Sequence, residues 1–175
     1  MTLDLAHLDG RIGEAWSGDV PNGSHVNVVL ARRGSPTAAA AVAAFSLPGP
    51  GHAPVLVCLG AGNAVRPATI MTNKATAEKV PHQRITWGAA QLGIGQAVMD
   101  AVVEGALPAE QADDIVLLVA VWVDPDANDP TAVRLANREA MRRALDEVLA
   151  GVSAEQIAEI AAGRDSATNA FYDGE

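Results

Sequence analysis

Asp114-Ile-Val-Leu-Leu-Val-Ala-Val-Trp-Val123 is almost uninterrupted apolar sequence, closed off by Asp113-Asp114 on one side and Asp124-Pro-Asp126 on the other. A run this short, rich in β-branched residues, is a strand, and its lack of polar alternation predicts a central strand buried on both faces. Upstream, Ser24 to Ala31 alternates Val26, Val28 and Leu30 with His25, Asn27 and Val29, which is a second strand. Val55 to Leu59 and Ala68 to Thr76 read as two more, separated by the turn Gly60-Ala-Gly-Asn63.

Helices fill the intervals. Ser35-Pro36 supplies an N-cap and a first-turn proline for an alanine-rich helix that ends before Pro48-Gly49-Pro50-Gly51. Trp87, Leu92, Ile94, Val98, Ala101 and Val102 recur at helical spacing from Thr86 to the natural stop at Gly105. Pro108 opens a short helical turn, Asp129-Pro130 caps a long helix to about Ala150, and Ser153 with Gln156 forms a capping box for a last short one. The order predicts an α/β (α+β) chain, a mixed sheet covered by helices. We expect a single domain over residues 1–163 and a polar, loose tail over 164–175.

Composition narrows the function. Twelve Lys plus Arg against 21 Asp plus Glu leave a net charge of −9, which repels phosphate backbones and anionic lipid. Nucleic acid and membrane are not expected partners. No window approaches the ~20 apolar residues of a membrane span, and the start Met-Thr-Leu-Asp-Leu carries an acid where a signal peptide carries bases, so a cytoplasmic protein is expected. Cys58, the one cysteine, lies in an apolar run and reads as a core thiol. His7, His25, His52 and His82 show no metal-ligand spacing. Gly60-Ala-Gly-Asn63 lacks the third glycine of a dinucleotide loop.

His25 and Asn27 carry more information. Two apart on a strand, they share a face with Cα atoms roughly 6.5–7 Å apart. One small ligand can touch both, and a solvent-facing polar pair on an edge strand has the same pattern, so residue pattern leaves both open. Arg66, Lys74, Lys79 and Arg84, with only Glu78 against them, form a basic stretch that suits an anionic ligand or a solvated face.

An ordered set of motifs then resembles the formaldehyde-activating enzyme family. It comprises Gly13-Glu-Ala-Trp-Ser-Gly-Asp19, His25 after it, Gly34-Ser-Pro36, Asn63, Pro67-Ala-Thr-Ile-Met-Thr-Asn-Lys-Ala-Thr76, Trp87-Gly-Ala-Ala-Gln91, Glu104-Gly105, Ala112-Asp-Asp114, Asn137 and Glu139-Ala140. The resemblance implies a fold like domain 2 of ribosomal protein S5, a homopentamer, and a lyase that condenses formaldehyde with a tetrahydromethanopterin-like reduced pterin to the methylene derivative and water. It implies no metal and no permanently bound cofactor, the pterin being co-substrate. The family's general acid falls on His25, and its pterin contacts fall on Asn27, Leu56, Lys74, Thr76 and Gln91.

Those residue types suit that chemistry. The hydroxymethyl amine formed first must lose its hydroxyl as water, and an imidazolium supplies the proton near neutral pH. Lys74, Thr76 and Gln91 match the donors and acceptors of a pterin edge. The chain also departs from the family pattern. Where the family has His-x-Asp, this chain has His25-Val-Asn27, so the carboxylate beside the histidine is an amide. Trp122-Val-Asp124 replaces Phe-Ile-His, and Ala136 and Arg138 replace tyrosines around Asn137. A pterin-binding or formaldehyde-responsive paralogue with little turnover is therefore the second reading.

Overall fold

A computed structural model describes residues 2–45 and 47–168. After a short helix α1 (Leu5–Leu8), the chain forms β1 (Ile12–Ser17), β2 (Ser24–Arg32), α2 (Pro36–Phe45), β3 (Val55–Leu56) and β4 (Ala68–Asn73). Helix α3 (Val80–Arg84) runs through a π-helical stretch, Ile85–Ala90, into α4 (Gln91–Val103). A 3₁₀ turn at Ala109–Asp114 leads to β5 (Ile115–Val123), then α5 (Pro130–Ala150) and α6 (Ala154–Gly163).

The five strands make one mixed sheet in the order β1-β2-β5-β4-β3, with β4 and β5 parallel and the other neighbours antiparallel. The quoted apolar run is its centre. It is not buried on both faces, however. Ile115, Leu117, Val119, Val121 and Val123 are buried, while Val116, Leu118, Ala120 and Trp122 on the opposite face are half-buried.

Cover on the buried face comes from α5, with α4 beside it. Gly13 shows how close α5 lies: a Cβ there would come within 2.0 Å of the Ala144 carbonyl oxygen. Only glycine permits that approach. The small residues Ala15 and Ser17 continue the same side of β1 and are buried. Val26, Val28, Leu30, Met71, Ile94, Val98, Met141 and Leu145 fill the core between the layers. Burying each such side chain contributes about 1.5–3 kcal/mol before conformational entropy is set against it.

Local signals placed the helix starts well. Asp129 accepts from the Thr131 and Ala132 amides, and Ser153 and Gln156 form the reciprocal capping box. Ser35 Oγ accepts from the Ala38 amide, as an N-cap should. Three expectations change. β1 was not foreseen as a strand, because its glycine and alanine carry little β propensity and its pairing with β2 is a long-range matter. The extended run from Ala68 stops at Asn73, whose side-chain amide donates to the carbonyls of Gly51 and Ala75 and turns the chain. Cys58 is half-buried at the sheet edge and not in the core, since β3 ends at Leu56 and only an isolated bridge joins Cys58 to Ala64.

The expected tail begins as a 3₁₀ turn, Arg164–Ser166, and its part beyond residue 168 lies outside the described residues. No described helix is long and apolar enough to cross a membrane.

Candidate active site

Strand register assembles a polar cluster on the open face. Trp16 stands opposite His25, and His25 opposite Trp122, in one row across β1, β2 and β5. The next row is Glu14, Asn27, Ala120 and Thr72. Lys74 follows β4 by one residue, and its amide still donates to the Val121 carbonyl at 2.7 Å. That bond keeps the side chain on the same face.

His25 is held at both ring nitrogens. Nε2 contacts the Glu14 carboxylate, and Lys74 Nζ lies 2.9 Å from Nδ1 and 2.7 Å from Asn27 Oδ1. An ammonium only donates, so with Lys74 charged Nδ1 is the acceptor and the ring proton sits on Nε2, donated to Glu14. Trp16 flanks the ring, with centroids 6.2 Å apart, and Trp122 stacks on Trp16 at 5.2 Å. Partial burial of its ammonium holds Lys74 below the usual lysine value, and the Glu14 carboxylate opposes that by favouring the charged form.

Helix α5 steadies the strands behind the cluster. Asn137, fully buried, donates 2.7 Å to Ser24 Oγ beside His25, and Arg143 donates to the Trp16 carbonyl at 3.0 Å. Glu147 accepts the Glu14 amide at 2.6 Å. Asn137 is one of the motif residues, and its place in the fold gives it a structural task.

Of the six residues singled out in the sequence, the fold brings His25, Asn27 and Lys74 into contact. Leu56 lies on edge strand β3, 43% exposed, and touches none of them by hydrogen bond. Gln91 spends both halves of its amide internally, accepting from the Cys58 amide at 3.1 Å and donating to the Trp87 carbonyl at 2.6 Å. Thr76, past the turn at Asn73, hydrogen-bonds His52. Arg66 of the basic stretch faces Asp113 at 3.5 Å.

Glu14 is the member of this cluster that sequence pattern did not single out. It stood inside the quoted motif, and its signal was the alternation of Ile12, Glu14 and Trp16 with the small Gly13, Ala15 and Ser17. That pattern marks a strand packed tightly on one side and open on the other. Among the described residues, no group of three or more His, Cys, Asp or Glu side chains is placed to hold a metal ion.

Fold and cluster together define a class: a small α/β protein whose one-sided sheet presents an imidazole between a carboxylate and an ammonium. Residues 12–172 match the family model of the formaldehyde-activating enzyme, and the chain belongs to that family. Among its relatives is the 5,6,7,8-tetrahydromethanopterin hydro-lyase of Methanosarcina barkeri, 35% identical over 94% of this chain and 91% of that protein. The bifunctional enzyme Fae/Hps of Methanothrix thermoacetophila is 30% identical over 80% of the chain, which spans 36% of that longer protein. Its counterpart in Methanosphaera stadtmanae is 32% identical over 78% of the chain and 35% of its own length.

Proposed function

We propose that the chain is a lyase condensing formaldehyde with tetrahydromethanopterin to methylene-tetrahydromethanopterin and water, in the cytoplasm, with His25 as general acid. Family membership and the hydro-lyase relative support the reaction. The observation that carries the role of His25 is its imidazole held by Glu14 at Nε2 and facing Lys74 at Nδ1.

A ring nitrogen of the pterin adds to formaldehyde, and the resulting hydroxymethyl group must lose its oxygen. With Nε2 occupied by Glu14, Nδ1 is the nitrogen that carries the proton to the hydroxyl. As the ligand enters, Lys74 leaves Nδ1 for the pterin and Nδ1 takes up a solvent proton, giving an imidazolium that the Glu14 carboxylate balances, since two N–H groups cannot face one another. The C–O bond breaks, water departs with the Nδ1 proton, and the nitrogen lone pair forms the iminium. The second pterin nitrogen closes the ring and returns its proton to Nδ1. The cycle is proton-neutral, so one group serves as acid and then as base. Asn27, Thr76, Leu56 and Gln91 shape the pterin's surroundings, and holding both nitrogens in register with the one-carbon unit adds its own acceleration.

The second reading, a pterin binder with little turnover, rests on Asn27. Glu14 supports the first reading, because a carboxylate faces the ring from β1 while position 27 carries an amide. The deciding experiment measures methylene-pterin formation above the spontaneous rate, with pterin binding in parallel. His25→Ala should lower the catalysed rate by roughly 10²–10⁴-fold and leave binding nearly intact. Lys74→Ala should weaken binding. Full activity of His25→Ala between about pH 6 and 8 would remove His25 from the acid's role.

A further inference from the structure

His52 belongs to none of the motifs, yet both its ring nitrogens are engaged. Nδ1 lies 2.9 Å from the Asn73 carbonyl oxygen, and Nε2 lies 2.9 Å from Thr76 Oγ1. A carbonyl can only accept, so Nδ1 carries the proton of the neutral ring. Nε2 is then a lone pair, and the hydroxyl of Thr76 must donate to it. Threonine has one hydroxyl proton. Once that proton is given to His52, Oγ1 presents only lone pairs to anything else.

The loop that carries His52 is clamped on the segment that carries Thr76. Gly49 and His52 exchange backbone hydrogen bonds of 3.1 and 2.9 Å, and Gly51 accepts from Asn73 Nδ2 at 2.7 Å and from the Ala77 amide at 3.0 Å. Gly51 has φ +71°, and a Cβ there would come within 2.5 Å of Thr76 Cγ2, so the contact requires glycine. Thr76 also lines a cavity of about 160 Å³ with Glu78, Lys79, His82 and Pro125, while the Lys74 ammonium turns away to His25 and Asn27. A small polar recess thus begins at Thr76.

We propose that His52 is a positioning residue that makes the Thr76 hydroxyl an obligate hydrogen-bond acceptor, so that position 76 selects an N–H of the reduced pterin over a carbonyl. The proposal rests on the reading of Thr76 as a pterin contact.

The test compares Kd for tetrahydromethanopterin and kcat in wild type, His52→Ala, His52→Gln, Thr76→Val and the double variant His52→Ala/Thr76→Val. Thr76→Val and His52→Ala should each raise Kd about five- to tenfold, the loss of one hydrogen bond, and in His52→Ala kcat at saturation should change little. The double variant should be no worse than Thr76→Val alone, because His52 acts through that hydroxyl. His52→Gln should recover most of the affinity, its Oε1 accepting from Thr76. Multiplying losses in the double variant, or a His52→Ala effect confined to kcat or melting temperature, would overturn the proposal while leaving Thr76 at the ligand. An unchanged Kd in Thr76→Val would overturn both.

Discussion

Glu14 and Lys74 approach His25 from opposite sides, and each changes what the other can do. Glu14 raises the proton affinity of Lys74 against the effect of burial, so removing the carboxylate should lower the lysine further. Glu14→Gln therefore leaves more Lys74 as free amine at a given pH, and an acylating reagent should modify Lys74 faster than in wild type. Peptide mapping after partial acylation measures this; an unchanged or slower reaction would mean that the carboxylate does not act on the ammonium. The same substitution takes a charge-assisted hydrogen bond from His25, worth about 1.5–3 kcal/mol where it supports the transition state. The condensation rate near neutral pH should fall by ~10- to 150-fold. Asn27, read in the sequence as the amide where the family has a carboxylate beside the histidine, hydrogen-bonds Lys74 in the fold, and the carboxylate at the ring comes from the neighbouring strand. Periodicity put His25 and Asn27 on one face. It had no means of placing Glu14 beside them, because that requires the antiparallel register Glu14 to Asn27.

At the level of elements, the placing of α4 against α5 rests partly on one bidentate pair. Arg138 Nε and Nη2 reach the two Asp100 carboxylate oxygens at 2.6 and 2.7 Å. Hydrogen bonding from Arg138 holds Asp100 below the usual carboxylate range, with the charges of Arg138 and Arg142 adding to it and burial opposing. A carboxylate depressed in the folded state contributes stability that is present above its unfolded pKa of about 3.9 and lost as pH falls through the folded value. Both side chains are about a third or more exposed, so the contribution is discounted to about 1 kcal/mol or less. Asp100→Asn should lower the melting temperature near neutral pH by about 2–4 °C or less for a chain of this size, and the difference should vanish in strong acid. A gap that persisted at about pH 2 would assign the effect to packing and not to charge. Arg138 stands where the family carries a tyrosine, so this clamp belongs to the chain's own departures. Periodicity predicts an α-helix from Thr86, whereas Ile85–Ala90 is π-helical, and nothing in its sequence explains the wider turn.

For the whole molecule, the one-sided sheet is the main consequence. Helices cover one face, and the other carries the cluster with half-buried Trp16, Val29, Leu118 and Trp122. Neither Leu56 nor Gln91 hydrogen-bonds His25 within the chain, and we propose that the complete site lies at a boundary between subunits of a closed ring, a pentamer. Light scattering at micromolar concentration should find the ring; a monomer would contradict it. Mixed rings of His25→Ala and Gln91→Ala chains give a sharper result, recovering up to roughly a quarter of wild-type activity if each site draws the two residues from different chains. No recovery would put them in one chain. What the sequence by itself determined is whatever acts over a few residues: the caps at Ser35, Asp129 and Ser153, the strands at β2 and β5, and the shared face of His25 and Asn27. The family, too, was legible, because its motifs are ordered along the chain. Tertiary structure alone decided which sheet face stays open, that Glu14 meets the imidazole, and that Thr76 is turned toward His52. Each of these depends on pairing between segments far apart in sequence, whose register is set by the burial of the whole sheet against α5 and not by any local preference.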